Sequence, residues 1–132
     1  AQELYADSLE LFREIDDRQG QARCLVNCGL SNTYSGNFDT ARANLEEAMR
    51  LFQRLDDAEG AGLAHEIMAG VELSTGRLDA CEREGKRALE VARNGAISSL
   101  EGRSLLLLGD LSRIQDKPEH AEAMYREALR AF

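Results

Sequence analysis

The segment at residues 36–52, GNFDTARANLEEAMRLF, returns forty residues later without a gap. Gly36 aligns with Gly76, Phe38 with Leu78, Asp39 with Asp79, Ala48 with Ala88, Met49 with Leu89 and Leu51 with Val91. A further forty on, the same columns read Asp116, Pro118, Glu119, Ala128, Leu129 and Ala131. Forty before, they read Ser8, Leu9, Leu11 and Phe12. A fixed period of this size marks a stack of equivalent units, each burying its apolar face against its neighbours. That constraint excludes most other folds before any single residue is considered.

Within this register, apolar residues recur at spacings of three and four, as in helices that bury one face. Leu4, Tyr5, Ser8, Leu9, Leu11, Phe12 and Ile15 place a first helix over 1–15. Further helices are expected at about 18–35, 38–54, 58–75, 78–93 and 99–115, and from Pro118 to the end. In the linkers Asp16-Asp17 and Asp56-Asp57, a carboxylate can accept from free N–H groups of the following first turn. Ser35-Gly36 and Thr75-Gly76 end helices because Gly tolerates the left-handed C-terminal position. Asn94-Gly95 reads as a further stop. Asn37 is the expected N-cap of the third helix, and Ser98 with Glu101 spells a capping box for the sixth. Pro118 falls in a first turn, where its missing N–H costs nothing. Four consecutive leucines, Leu105 to Leu108, cover most of a helix circumference, so the sixth helix should be covered on more than one side.

Ala1 shares its column with Ala41, inside a helix, so a piece of a longer protein is expected. The expected fold is all-α: a solenoid of about seven antiparallel helices in one domain, 1–132. Its parts are a half repeat at 1–15 and repeats at about 17–55, 57–95 and 97–132. Apolar residues make up 43% of the chain, enough for a core, and no Gly- or Ser-rich run divides it.

The net charge of −8 and the lack of any helical face that collects basic residues argue against direct nucleic-acid binding. An anionic membrane surface is disfavoured for the same reason, and no run of 18 or more apolar residues spans a bilayer. The three cysteines, Cys24, Cys28 and Cys81, are odd in number and lack framework spacing, so reduced thiols and a cytoplasmic location are expected. Cys24 and Cys28 lie four apart on one helix face. Cys is among the most buried residue types, and no partner set for a metal accompanies the pair, so no metal site is assigned. His65 takes an apolar column shared with Leu25 and Leu105, which suits a satisfied, half-buried side chain. His120 lies in a first turn and should be solvated. No nucleophile–base set and no phosphate-cradling Gly motif appears, so no catalytic residue and no cofactor is expected. Glu46-Glu47, Glu82-Glu84 and Glu119-Glu122 interleave with Arg and Lys as an ion-paired surface.

The columns resemble the tetratricopeptide repeat, a helix–turn–helix unit that stacks into a right-handed superhelix. The first full repeat carries Cys28-Gly29, Gly36-Asn37-Phe38, Ala41, Leu45 and Ala48. The second carries Met68-Ala69, Gly76-Arg77-Leu78, Cys81, Gly85 and Ala88. The third carries Leu108-Gly109, Asp116-Lys117-Pro118, Ala121, Tyr125 and Ala128. Gly85 stands where the family has a large residue, and the third repeat lacks the turn Gly. The usual period is about 34 residues. The forty-residue period resembles that of repeats in large bacterial regulators.

The resemblance implies a non-enzymatic protein- or peptide-binding module, part of a sensing or scaffolding protein. It also implies that the first helix of each repeat lines a concave groove. The expected partner-facing positions are Arg23, Val26, Asn27, Leu30 and Thr33; then Leu63, Glu66, Ile67, Gly70 and Leu73; then Arg103, Leu106, Leu107, Asp110 and Arg113. The lining mixes apolar residues with both signs of charge, which suits a helix or extended segment with apolar anchors better than capture of a free carboxylate. The alternative expectation is a self-assembling piece, a homo-oligomer through terminal helices that display Leu4, Leu9, Phe12, Leu129 and Phe132.

Overall fold

A computed structural model describes residues 2–14 and 17–132; Ala1, Ile15 and Asp16, which entered the expectations above, lie outside the described residues. The helices are α1 (Gln2–Glu14), α2 (Arg18–Tyr34), α3 (Phe38–Arg54), α4 (Ala58–Ser74), α5 (Leu78–Asn94), α6 (Ser98–Ile114) and α7 (Pro118–Ala131). No strand occurs among the described residues. The starts of α2, α4 and α6 are forty residues apart, as are those of α3, α5 and α7. Each helix packs on its neighbours in sequence. In addition the backbones of α2 and α4, and of α4 and α6, approach each other closely, whereas α1 and α3, and α5 and α7, meet only through exposed ion pairs, Arg13–Glu47 at 3.1 Å and Arg93–Glu127 at 2.9 Å. The even-numbered helices therefore line the inside of the curve and the odd-numbered helices its outside.

The turns repeat as well. Asp17 and Asp57 each accept from the N–H three residues on, at Gly20 and Gly60, both at 2.9 Å. At the sixth helix the register prevails over the local motif. The N-cap is Ile97, without a side-chain bond, and Ser98 is already helical, so the expected capping box does not form. Asn37 is the N-cap of α3, but its side chain makes no capping bond. The turn is closed by the backbone instead, with the N–H of residues 37, 77 and 117 donating to the carbonyls of Asn32, Glu72 and Ser112 at 2.8–2.9 Å. Each described turn from α2 onward has one left-handed residue. Gly36 and Gly76 supply it with φ of 80° and 76°, but Asp56, Ala96 and Asp116 adopt φ of 54–59° without being glycine. Gly95, the expected stop residue, has φ −94°, and the left-handed position falls one residue later on Ala96.

Helix contacts pair a small residue with a large one. A Cβ on Gly29 would meet Leu45 at 2.7 Å, and one on Gly109 would meet Tyr125 at 2.5 Å. In the middle repeat the same columns hold Ala69 and Gly85. The place of the absent large side chain is taken by Leu108 of α6, which would lie 2.9 Å from a Cβ on Gly85. Between repeats, the rings of Phe12 and Phe52 occupy the space that a Cβ on Gly20 and Gly60 would need. At the next junction the sizes exchange, with Ala92 and Leu100 in these columns, 0% and 2% exposed.

Polar pairs are buried among these contacts. Arg42 Nε meets Glu72 Oε1 at 2.5 Å, and Arg42 also donates to Thr75 Oγ1 at 2.8 Å, linking α3 to the end of α4. Desolvation of the two charges offsets much of their mutual attraction, so a buried pair of this kind adds little net stability. His65 Nδ1 lies 2.5 Å from Glu84 Oε2, so the half-buried histidine is satisfied across the α4–α5 interface. Burial raises the Glu84 carboxyl, but the His65 bond and charge and Arg87 outweigh it and hold the group below its usual value of 4.5.

Two outcomes follow from this geometry. Ala96→Gly removes left-handed strain from a residue with a Cβ and should raise stability by about 0.5–1 kcal/mol in urea unfolding. A depressed glutamate contributes stability that is present above its unfolded value of 4.5 and lost as pH falls through its folded value. Glu84→Gln should therefore shrink the acid-side fall of the urea midpoint. An unchanged slope would remove Glu84 from that role.

Candidate functional site

The inner face is built from α2, α4 and α6, whose matching columns run side by side across the curve. Residues 23, 63 and 103 come together there. Arg23, Leu63 and Arg103 line one cleft of about 300 Å³, with Phe52 and Leu100 among its apolar lining. The polar lining is Gln19, Asp57, Glu59 and Ser99, which the sequence reading did not assign to the groove. Gln19, Glu59 and Ser99 form a single column one turn before 23, 63 and 103, so the register carries the signal that would have found them. Asp57 both caps α4 and accepts from Gln19 Nε2 at 3.0 Å. These bonds, that from Gly60 N–H foremost, hold its carboxyl below the usual range.

The other expected positions divide by burial. Val26 and Ile67 belong to the core, 5% and 9% exposed, because they turn into the junction between repeats; they are corrected from groove residues to core residues. Leu30 and Leu63 are half-buried against the same core, and Leu73 and Leu107 against the second cluster. Thr33 is half-buried and spends its hydroxyl on Gly29 O at 2.7 Å. A Cβ on Gly70 would meet nothing within 4 Å. Leu106 is exposed at 37%, and Arg23, Asn27, Arg103 and Arg113 are exposed as well.

Much of the charge on this face is already answered. Arg103 Nε lies 3.6 Å from Glu66 Oε1. Burial raises the Glu66 carboxyl against the pull of Arg103. Asp110 accepts from Tyr125 Oη at 2.6 Å and lies 3.8 Å from Arg113. Arg23 and Asn27 also border a second cleft of about 460 Å³ between α1 and α2, lined by Leu4, Tyr5 and Phe12.

Cys24 lines the second cleft, and Cys28 and Cys81 line neither. Cys24, Cys28 and Cys81 are buried and free. Cys24 Sγ donates to Tyr5 O at 3.0 Å. Burial pushes Cys28 and Cys81 up to about 11, which keeps both as thiols at neutral pH. Among the described residues, no three His, Cys, Asp or Glu side chains come together as a metal site, and no helix is long and apolar enough to cross a membrane.

Residues 1–54 match the model of a family described as tetratricopeptide repeat. No curated protein matches the chain. Among solved structures, the chain is similar to the crystal structure of BtubC (BKLC) from P. vanneervenii, with a TM-score of 0.85 and 21% identity. That match covers 98% of this chain and 54% of the other, so this chain spans about half the length of that one. At this identity the likeness concerns the fold. Residues 1–54 thus match the tetratricopeptide repeat model, and the helices that follow extend the same forty-residue register as one helical repeat solenoid.

Proposed function

We propose that the chain is a non-enzymatic module that binds a protein or peptide segment along its inner face. Tetratricopeptide repeats generally serve protein–protein interaction, and residues 1–54 match that family. The observation that carries the reading is the cleft across three consecutive repeats, where Leu63 lies between Arg23 and Arg103. Its chemistry suits a segment with an apolar anchor over Leu63 and polar or charged groups toward the two arginines. Within a longer protein, such a module would act as the sensing or scaffolding part of a regulatory or signalling assembly.

A second reading is self-association. Leu4, Leu129 and Phe132 are 67%, 75% and 63% exposed. Light scattering across a concentration series separates the two. A strict monomer at high concentration counts against self-association.

The groove reading is tested by selecting peptides from a displayed random library on the wild-type chain. Their affinities are then measured for Arg23→Ala, Leu63→Ala, Arg103→Ala, Leu106→Ala and Arg113→Ala. Central anchors should cost about 2 kcal/mol, roughly thirtyfold, and peripheral positions less. Helical content by circular dichroism should be unchanged. Selected peptides that bind all five variants as tightly as the wild type would place the site elsewhere.

A further inference from the structure

Junctions that repeat in backbone differ in what stands at the end of the inner helix. Between α3 and α4, Arg42 occupies this place with its side chain 13% exposed, donating to Glu72 and Thr75. Between α5 and α6 the same columns read Glu82, Ser112 and Gln115. Glu82 pairs instead with Lys86 on its own helix, at 2.8 Å. Ser112, in the column of Glu72, is too short to supply a carboxylate. A cavity of about 50 Å³ lies there, at the other end of α6 from the cleft that Leu100 and Arg103 line.

The polar walls of this cavity are mostly donors. Besides the Glu82–Lys86 pair they are Ser112, Gln115, Lys117 and His120. Lys86 and Lys117 are the only lysines among the sixteen lysines and arginines of the sequence. Ser112 is 5% exposed, and neither it nor Gln115, Lys117 or His120 makes a side-chain hydrogen bond or close ion pair with another described residue. Buried polar side chains are as a rule hydrogen-bonded. The bond and charge of Lys86, and then the charges of Lys117 and His120, hold the Glu82 carboxyl below its usual value of 4.5. Asp116 and Glu119 belong to the same turn but do not line the cavity. Lys117 is also the N-cap of α7 and makes no side-chain capping bond, so first-turn N–H groups beside the cavity lack a side-chain acceptor.

We infer that this cavity binds one small oxyanion of the phosphate class, in the columns where the preceding junction holds the Glu72 carboxylate. Glu82 answers Lys86, which leaves the charge of Lys117 for the anion, and a protonated His120 adds to it. Ser112 and Gln115 donate from α6, and Lys117 and His120 from the turn and α7. Donors from two helices and the turn between them suit a tetrahedral oxyanion better than a planar carboxylate. The compact ammonium of lysine suits a cavity of this size, and the start of α7 favours negative charge. The oxyanion is either a free ion or the phosphoryl group of a monoester. The site lies away from the cleft of the inner face and does not depend on peptide binding there.

Titration of the whole chain with sodium phosphate, followed by amide chemical shifts at fixed pH and with chloride holding the ionic strength constant, tests this. The shifts should saturate and concentrate between Leu111 and Ala121. Lys117→Ala, at an exposed position, should weaken binding about tenfold. Ser112→Glu supplies the carboxylate of the preceding junction and should abolish binding. Should that variant fold poorly, Ser112→Ala should weaken binding about threefold. Methyl phosphate at the same amides would assign the site to a phosphoryl group carried on a larger molecule, and its exclusion to the free ion; both outcomes support the site. Acetate should bind at least about tenfold more weakly than phosphate. Shifts that rise linearly without saturating, which mark an adventitious ion only, would overturn the inference. So would acetate binding as tight as that of phosphate, or undiminished phosphate binding by folded Lys117→Ala.

Discussion

The structure depends on how closely its helices approach. At junction after junction one helix gives up its Cβ so that a leucine, tyrosine or phenylalanine from the other can lie against backbone. Because the contact is steric, it fixes position along the helix as well as distance. A shift of one residue would put a ring against a side chain instead of a glycine. Dense packing of this kind tolerates little change in volume. The even-numbered helices pack closely along the stack while the odd-numbered ones reach one another only through long side chains, and the inner face is a product of that spacing.

The buried polar groups are adjustments to this frame. Arg42, Glu72 and Thr75 join α3 to the end of α4 in columns where the next junction has Glu82, Ser112 and Gln115. Such pairs make neighbouring junctions chemically different although their backbones repeat. The same holds on the inner face. Glu66 with Arg103, and Asp110 with Tyr125 and Arg113, answer one another, so the net charge of the face says little about what it would attract.

The architecture was legible because it rests on recurrence. Helix positions, the aspartate caps at 17 and 57 and the left-handed glycines at 36 and 76 all follow from columns. Local motifs misled where they conflicted with the register. Ser98 and Glu101 spell a capping box, yet the cap column belongs to Ile97. Asn94-Gly95 looks like a stop, yet the left-handed column belongs to Ala96. The groove was half legible. Columns 23, 63 and 103 line one cleft. Val26 and Ile67 do not, since a helix wedged among several neighbours has a narrow free face whose edge periodicity alone does not place. Gly85 looked like a departure from the pattern, because the residue that compensates for it, Leu108, lies in another repeat.

The exchange of sizes at Ala92 and Leu100 has a consequence for the order of the units. Phe12 with Gly20 and Phe52 with Gly60 are interchangeable mates, ring against backbone. Ala92 with Leu100 fits only itself. A unit beginning with Leu100 set after Phe52 would force two large groups into one space, and a unit beginning with Gly60 set after Ala92 would leave a void. The junctions are keyed at Ala92 and Leu100, so the repeat at about 57–95 cannot be duplicated or deleted singly, whereas the repeat at about 17–55, with Gly20 at one end and Phe52 at the other, can.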